Sequence, residues 1–183
     1  MTKNATFIAA ALFVALASAS TLGAPADTQP NHLMIPQSIR YEHASILDRL
    51  TKEAARPGPA AAVAGRILGV MKAHFAKEEE FVFPPLGLLD QITAGEMPSV
   101  QISRMAIDMA NRTKVAGQEL NQEHIRLTAM MDELIQAAKQ SDEAPLIAFA
   151  TDLAAHSLQE IEILQPTTIM IGEYLQSKLR SDR

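Results

Sequence analysis

Two stretches of this chain repeat one another, and the repeat narrows the possible folds more than any other feature. His74-Phe-Ala-Lys-Glu78-Glu-Glu80-Phe-Val-Phe-Pro84 aligns with His156-Ser-Leu-Gln-Glu160-Ile-Glu162-Ile-Leu-Gln-Pro166 in the histidine, both glutamates and the proline, giving H-x3-E-x-E-x3-P. These copies are 82 residues apart, and an earlier pair, Glu42-His43, recurs as Glu123-His124 at an offset of 81. Repetition of order and spacing implies two similar helical hairpins, each offering a lone histidine from its first helix and a histidine with a glutamate from its second. Residues four apart lie one turn up the same helix face, so His74 projects with Glu78 and His156 with Glu160.

The composition suits such hairpins. Of 183 residues 48% are hydrophobic and 20% charged, enough for one domain with a buried core. Aromatic residues make up 4% and tryptophan is absent, so alanine, leucine, isoleucine and methionine carry the apolar load, which favours helices over a β-sandwich. No period-two strand run occurs. A net charge of -5 with no lysine or arginine cluster excludes nucleic acid and anionic membrane surfaces as expected partners, leaving small ligands and ions. Zero cysteines exclude disulfides, thiolate ligands and a cysteine nucleophile.

Apolar spacing places the helices. Ile39, His43, Ile46, Leu47 and Leu50 mark a first helix from near Pro36 to about Arg56, broken by Pro57-Gly58-Pro59. A second runs from about Ala60 through Ile67, Leu68, Met71, His74 and Phe75 to Phe83, where Pro84-Pro85 disrupts the ladder; a short helical turn continues to Ile92. Ser99 caps a long third helix carrying Ile102, Met105, Met109, Leu120, His124, Leu127, Met131 and Leu134 to about Lys139, with Gly117 as a weak point. Ser141 and Asp142 offer an N-cap for a fourth, with Pro145 in its first turn and Leu146, Phe149, Leu153, His156, Glu160 and Ile163 on its stripe; Pro166 interrupts it before a last piece to about Leu179. Short connections make antiparallel neighbours, so the expected class is all-α, an up-down-up-down four-helix bundle.

In such a bundle His43, His74, Glu78, His124, His156 and Glu160 converge at the centre. A single core histidine needs only a hydrogen bond, and H-x3-E alone also stabilises ordinary helices. Four of the five histidines occupy repeated positions, however, and burying four imidazoles with two carboxylates is costly unless a cation binds them. Imidazole and carboxylate without thiolate suit iron first, with manganese or zinc as alternatives. His32, in the leader, is expected in solvent, as are Glu79 and Glu80, which turn away from the face of Glu78. Glu42 and Glu123 either support a histidine from behind or lie on the surface. Met71, Met105, Met109, Met130, Met131 and Met170 are read as core filling.

At these residues the chain resembles the hemerythrin family in its broader cation-binding form, named for its H and H-x3-E motifs, over about Ile35 to Leu179. The resemblance implies a bundle with a non-haem di-iron centre, its irons bridged by carboxylates and by an oxo or hydroxo oxygen. It carries over His43, His74, Glu78, His124, His156 and Glu160 as ligands, with Glu78 and Glu160 bridging. Oxygen-carrying hemerythrins have two histidines a turn apart on the third helix, whereas Leu120 and Thr128 flank His124 here. With that ligand missing, about two of twelve octahedral positions stay open unless Glu119 or Glu123 fills the gap. Two openings favour iron, dioxygen or nitric oxide binding or sensing. A di-iron enzyme acting on dioxygen or peroxide is the alternative, and a structural bundle with zinc the third.

Lys3, the apolar run Phe7 to Ala17 and the small residues after it read as a signal peptide over 1–24, cleaved after Ala19 or Ala24, followed by a leader over 25–35 and the bundle over 36–180. The run is about half the ~20 residues that span a membrane, so no membrane contact is expected after cleavage, and the protein is expected in the periplasm or secreted.

Overall fold

The structure is a computed structural model that describes residues 32–181. The stretch read as a signal peptide and most of the stretch read as a leader lie outside the described residues. Every regular element among the described residues is helical: α1 (Gln37–Ala54), α2 (Pro59–Lys77), α3 (Leu89–Thr93), α4 (Val100–Gln140), α5 (Ala144–Gln159) and α6 (Gln165–Ser181). None is long and apolar enough to cross a membrane.

Local chemistry accounts for the boundaries. Gly58, at φ 116, takes a backbone conformation closed to other residues, and Pro59 begins α2 where a missing N–H is harmless. The Ser99 hydroxyl accepts from the Ile102 amide at 3.3 Å and caps α4, which runs unbroken through Gly117. Ser141 and Asp142 do not cap α5, contrary to expectation. They end α4 instead: the Glu143 amide donates to Ala138 O (2.9 Å) and the Asp142 amide to Lys139 O (3.3 Å), a Schellman closure with Asp142 at φ 52.

The prolines of the repeat do more than interrupt a helix. Directly before each lies a π-helical turn, Glu78–Val82 and Glu160–Leu164, in which the glutamate carbonyl accepts from the amide five residues on, Phe83 or Gln165. Proline donates no N–H and crowds the carbonyl four residues back, so the chain widens rather than continuing α-helical. Phe81 O, which would have paired with position 85, accepts instead from the Thr113 hydroxyl (3.4 Å), and Val82 O accepts from Thr168 (2.6 Å). The extra residue also shifts the stripe. Ile163, expected inside, is 55% exposed, and Leu164 packs inward in its place. Met170, beyond the same turn, is 62% exposed rather than core. Met71 and Met131 fill the core as expected, with Met105, Met109 and Met130 partly buried beside it.

Two apolar clusters form the core. One gathers residues including Ile46, Leu50, Met71, Leu127, Met131, Leu146 and Leu153; the other includes Ile39, Phe81, Val82, Ile102, Leu120, Ile171 and Leu175. Along every long segment the histidine falls between the two: Ile39, His43, Ile46; Met71, His74, Phe81; Leu120, His124, Leu127; Leu153, His156, Leu164. Leu33 and Ile35 of the leader also pack on the second cluster, and Met34 O lies so close to Gly87 that no side chain fits there.

Helix α4 packs against α6, α5 and α2. A Cβ at Gly172 on α6 would overlap that of Ala110 on α4, so close helix contact depends on this glycine. Gly172→Ala is expected to destabilise the fold by about 1–3 kcal/mol, because the clash outweighs a helix-propensity gain of about 1 kcal/mol. A urea midpoint at or above that of the parent chain would contradict this.

Candidate metal centre

The fold brings all six repeat residues together, each nine-tenths or more buried. His74, Glu78, His124 and Glu160 form one group whose ligand atoms lie within 4.8 Å of one another, and His43, His156 and Glu160 form a second. Glu160 belongs to both. Its Oε2 lies 3.0 Å from His124 Nε2, and its Oε1 lies 3.0 Å from His156 Nε2 and 3.5 Å from His43 Nε2. Glu78 falls in the first group, with Oε1 3.2 Å from His74 Nε2 and 3.8 Å from His124 Nε2. The resemblance implied two shared carboxylates; Glu160 touches histidines of both groups, and Glu78 touches those of the first while its charge is felt by His43 and His156 of the second.

Each imidazole is held from behind through Nδ1. His124 donates to Leu120 O at 2.9 Å, which fixes its proton on Nδ1 because a carbonyl only accepts. His43 donates to Glu79 (2.8 Å) and His74 to Glu123 (2.9 Å), while His156 Nδ1 forms an ion pair with Glu42 (3.1 Å). Glu42 and Glu123 are thus histidine partners rather than free surface groups, and they cross between hairpins: each first helix supports the histidine of the other hairpin's second helix. Glu79 was expected in solvent. Its carboxylate is half-exposed yet reaches His43 on α1, and the repeat conceals this because the matching position is Ile161. His43 also stacks flat on Phe75, centroids 3.6 Å apart. Glu80 pairs with Arg112 at the surface and His32 is exposed, both as expected.

Neither candidate for the missing ligand faces the centre. Lys77 donates to Glu119 (2.7 Å) and to Glu123 (2.6 Å), and the other oxygen of Glu123 is on His74. That pairing, with burial opposing it, holds Glu123 below the usual carboxylate range.

With Nδ1 of each ring turned outward, all four Nε2 atoms point inward. Those of His74 and His124 stand 3.1 Å apart, and His124 Nε2 is also 3.0 Å from Glu160 Oε2. His43 Nε2, His156 Nε2, both oxygens of Glu78 and Glu160 Oε1 have no hydrogen-bond partner although buried. The electrostatics record the same tension. Burial, then the neighbouring Glu160 charge, pushes Glu78 well above the ordinary range; burial acts likewise on Glu160 but is overcome by His124, His156 and His43, which hold it well below. Burial would lower His156, yet Glu160, then Glu42 and Glu78, keep it raised. Buried nitrogen and carboxylate atoms left without partners in this way fit a cation, which would displace their protons and take them as donors.

The family model for the hemerythrin HHE cation binding domain matches residues 34–168. No curated protein and no solved structure matches the chain.

Proposed function

Because the chain belongs to the hemerythrin HHE cation binding domain family, we propose that its buried cluster holds a non-haem di-iron centre that binds iron, dioxygen or nitric oxide, in an exported protein. The carrying observation is the pair of ligand groups joined at Glu160, with four inward Nε2 atoms and no thiolate. His74, Glu78, His124 and Glu160 would hold one iron, and His43, His156 and Glu160 the other. When bound, the iron pair supplies a ferrous–ferric couple and open coordination positions for a small diatomic ligand. The chain's own residues set the conditions. Glu42, Glu79, Glu123 and Leu120 O orient the imidazoles, and the apolar clusters on either side exclude bulk water.

We infer an up-down-up-down order for the four long segments. The alternation of the clusters supports it: from chain start to end the second cluster precedes the histidine on α1 and α4 and follows it on α2 and on α5 with its π-helical continuation. Export rests on Lys3, the apolar run Phe7 to Ala17 and the small residues that follow.

Anaerobic loading with ferrous iron, followed by dioxygen or nitric oxide, tests the reading. Reversible spectral change without peroxide consumption or catalytic ferrous oxidation supports binding; sustained turnover moves the assignment to a di-iron enzyme. Acid should also release the metal. In the metal-free chain the raised His156 carries a proton that the cation must displace, so affinity should rise with pH until that imidazole is neutral and fall as pH drops from about 7 to 5. Equal affinity at both ends of that range would contradict the ligand set.

A further inference from the structure

A cavity of about 490 Å³ opens between α1 and α5, and His156 forms part of its lining. His156 is 6% exposed, against 0–1% for His43, His74 and His124, so this is the face on which the centre comes nearest to solvent. Glu42 stands on the same wall, 48% exposed, with one oxygen on His156 Nδ1. Asp152 lines the cavity without an ion-pair partner among the described residues. The cations on the wall are committed: Lys52 to Asp48 at 2.6 Å and Arg49 to Glu53 at 2.8 Å. Asp152 therefore remains uncompensated at the lip, and Glu42 beside it leads on to a ligand histidine.

The other crossed partner is built differently. Glu123, behind His74, is 13% exposed and clamped by Lys77, so its carboxylate is less open to solvent than that of Glu42. The half nearer the cavity, His43, His156 and one oxygen of Glu160, also has fewer donors than the half holding Glu78.

We propose that this cavity is the port by which a divalent cation reaches the centre, with Asp152 attracting it at the mouth and Glu42 passing it to the His43–His156 half beside it. The proposal rests on the metal-centre reading above. A carboxylate on a concave wall concentrates cations and raises their on-rate, and the effect weakens with salt. Asp152 touches no histidine, which separates attraction from imidazole positioning.

The test is stopped-flow uptake of Co(II) by the metal-free full chain, followed by its visible absorption. Asp152→Asn should slow bimolecular uptake about threefold to tenfold at low salt, with the difference lost near 1 M salt and the final stoichiometry unchanged. Ser45→Trp, at an exposed position on the cavity wall, should slow uptake at every salt concentration by filling the passage. Asp90→Asn, on a different surface, should leave the rate as it is. Unchanged rates in both Asp152→Asn and Ser45→Trp, with full Co(II) binding, would overturn the port while leaving the centre standing. A parent chain that takes up no Co(II) would overturn both.

Discussion

Glu160→Gln is expected to abolish binding at both cation positions, the largest effect of any single substitution in the chain. Its two oxygens face different groups, Oε2 towards His124 and Oε1 towards His156 and His43, so no other residue is common to both. An amide keeps the shape but presents one neutral oxygen and an N–H, which cannot serve a second cation. Glu78→Gln should weaken only the position built on His74 and His124, because Glu78 belongs to that group alone. Equilibrium dialysis with elemental analysis separates the two outcomes. A Glu160→Gln chain that keeps one full equivalent would show that the groups are independent and the bridging role wrong.

His74→Ala and His156→Ala come next, each expected to lower iron content and thermal stability together. A cation that binds only the folded chain stabilises it by RT ln(1 + [L]/Kd), about 4 kcal/mol at a thousandfold excess over Kd, and each substitution removes a donor from a different group. The imidazole also pairs with a carboxylate behind it, so loss of His74 leaves Glu123 with Lys77 alone and loss of His156 leaves Glu42 to solvent. The His156→Ala penalty should be the smaller in the metal-free state, since Glu42 stays half-exposed and Glu123 is largely buried. His32→Ala should change neither property, because that side chain is exposed and outside both groups. Equal losses from all three, measured by iron content and by melting with and without chelator, would mean the site lies elsewhere.

Much of this was legible before any coordinates, and for a definite reason. Metal ligands on a helix need a spacing of four, and a twofold-repeated bundle writes that spacing twice, so His74 with Glu78 and His156 with Glu160 stood out along with their lone partners His43 and His124. The helices themselves followed from apolar periodicity and from Ser99, Pro59 and Pro145. What the repeat could not convey was whatever breaks it. Glu79 supports His43 in one hairpin, but the other has Ile161 at that place and uses a backbone carbonyl instead, a choice invisible to residue types.

The π-helical turns were hidden in another way. Pro84 and Pro166 announce a disturbed ladder, yet a kink, a break and a widened turn all relieve the same steric conflict. At the first turn the widened form is supported by Thr113 and Thr168, which reach across from α4 and α6 to satisfy Phe81 O and Val82 O. The second widened turn, Glu160–Leu164, is why Ile163 and Met170 were expected inside and lie outside: one added residue rotates everything beyond it. Asp142 misled for a related reason, since a residue suited to capping α5 is equally suited to the left-handed position that closes α4.

The most direct test of the centre is an anaerobic titration of the metal-free chain with ferrous iron, counting bound equivalents, followed by air and a visible spectrum. The geometry predicts saturation at two irons per chain, one for each ligand group, and then an oxo-to-iron absorption band. Saturation at no iron, with a spectrum that stays featureless in air, would contradict it.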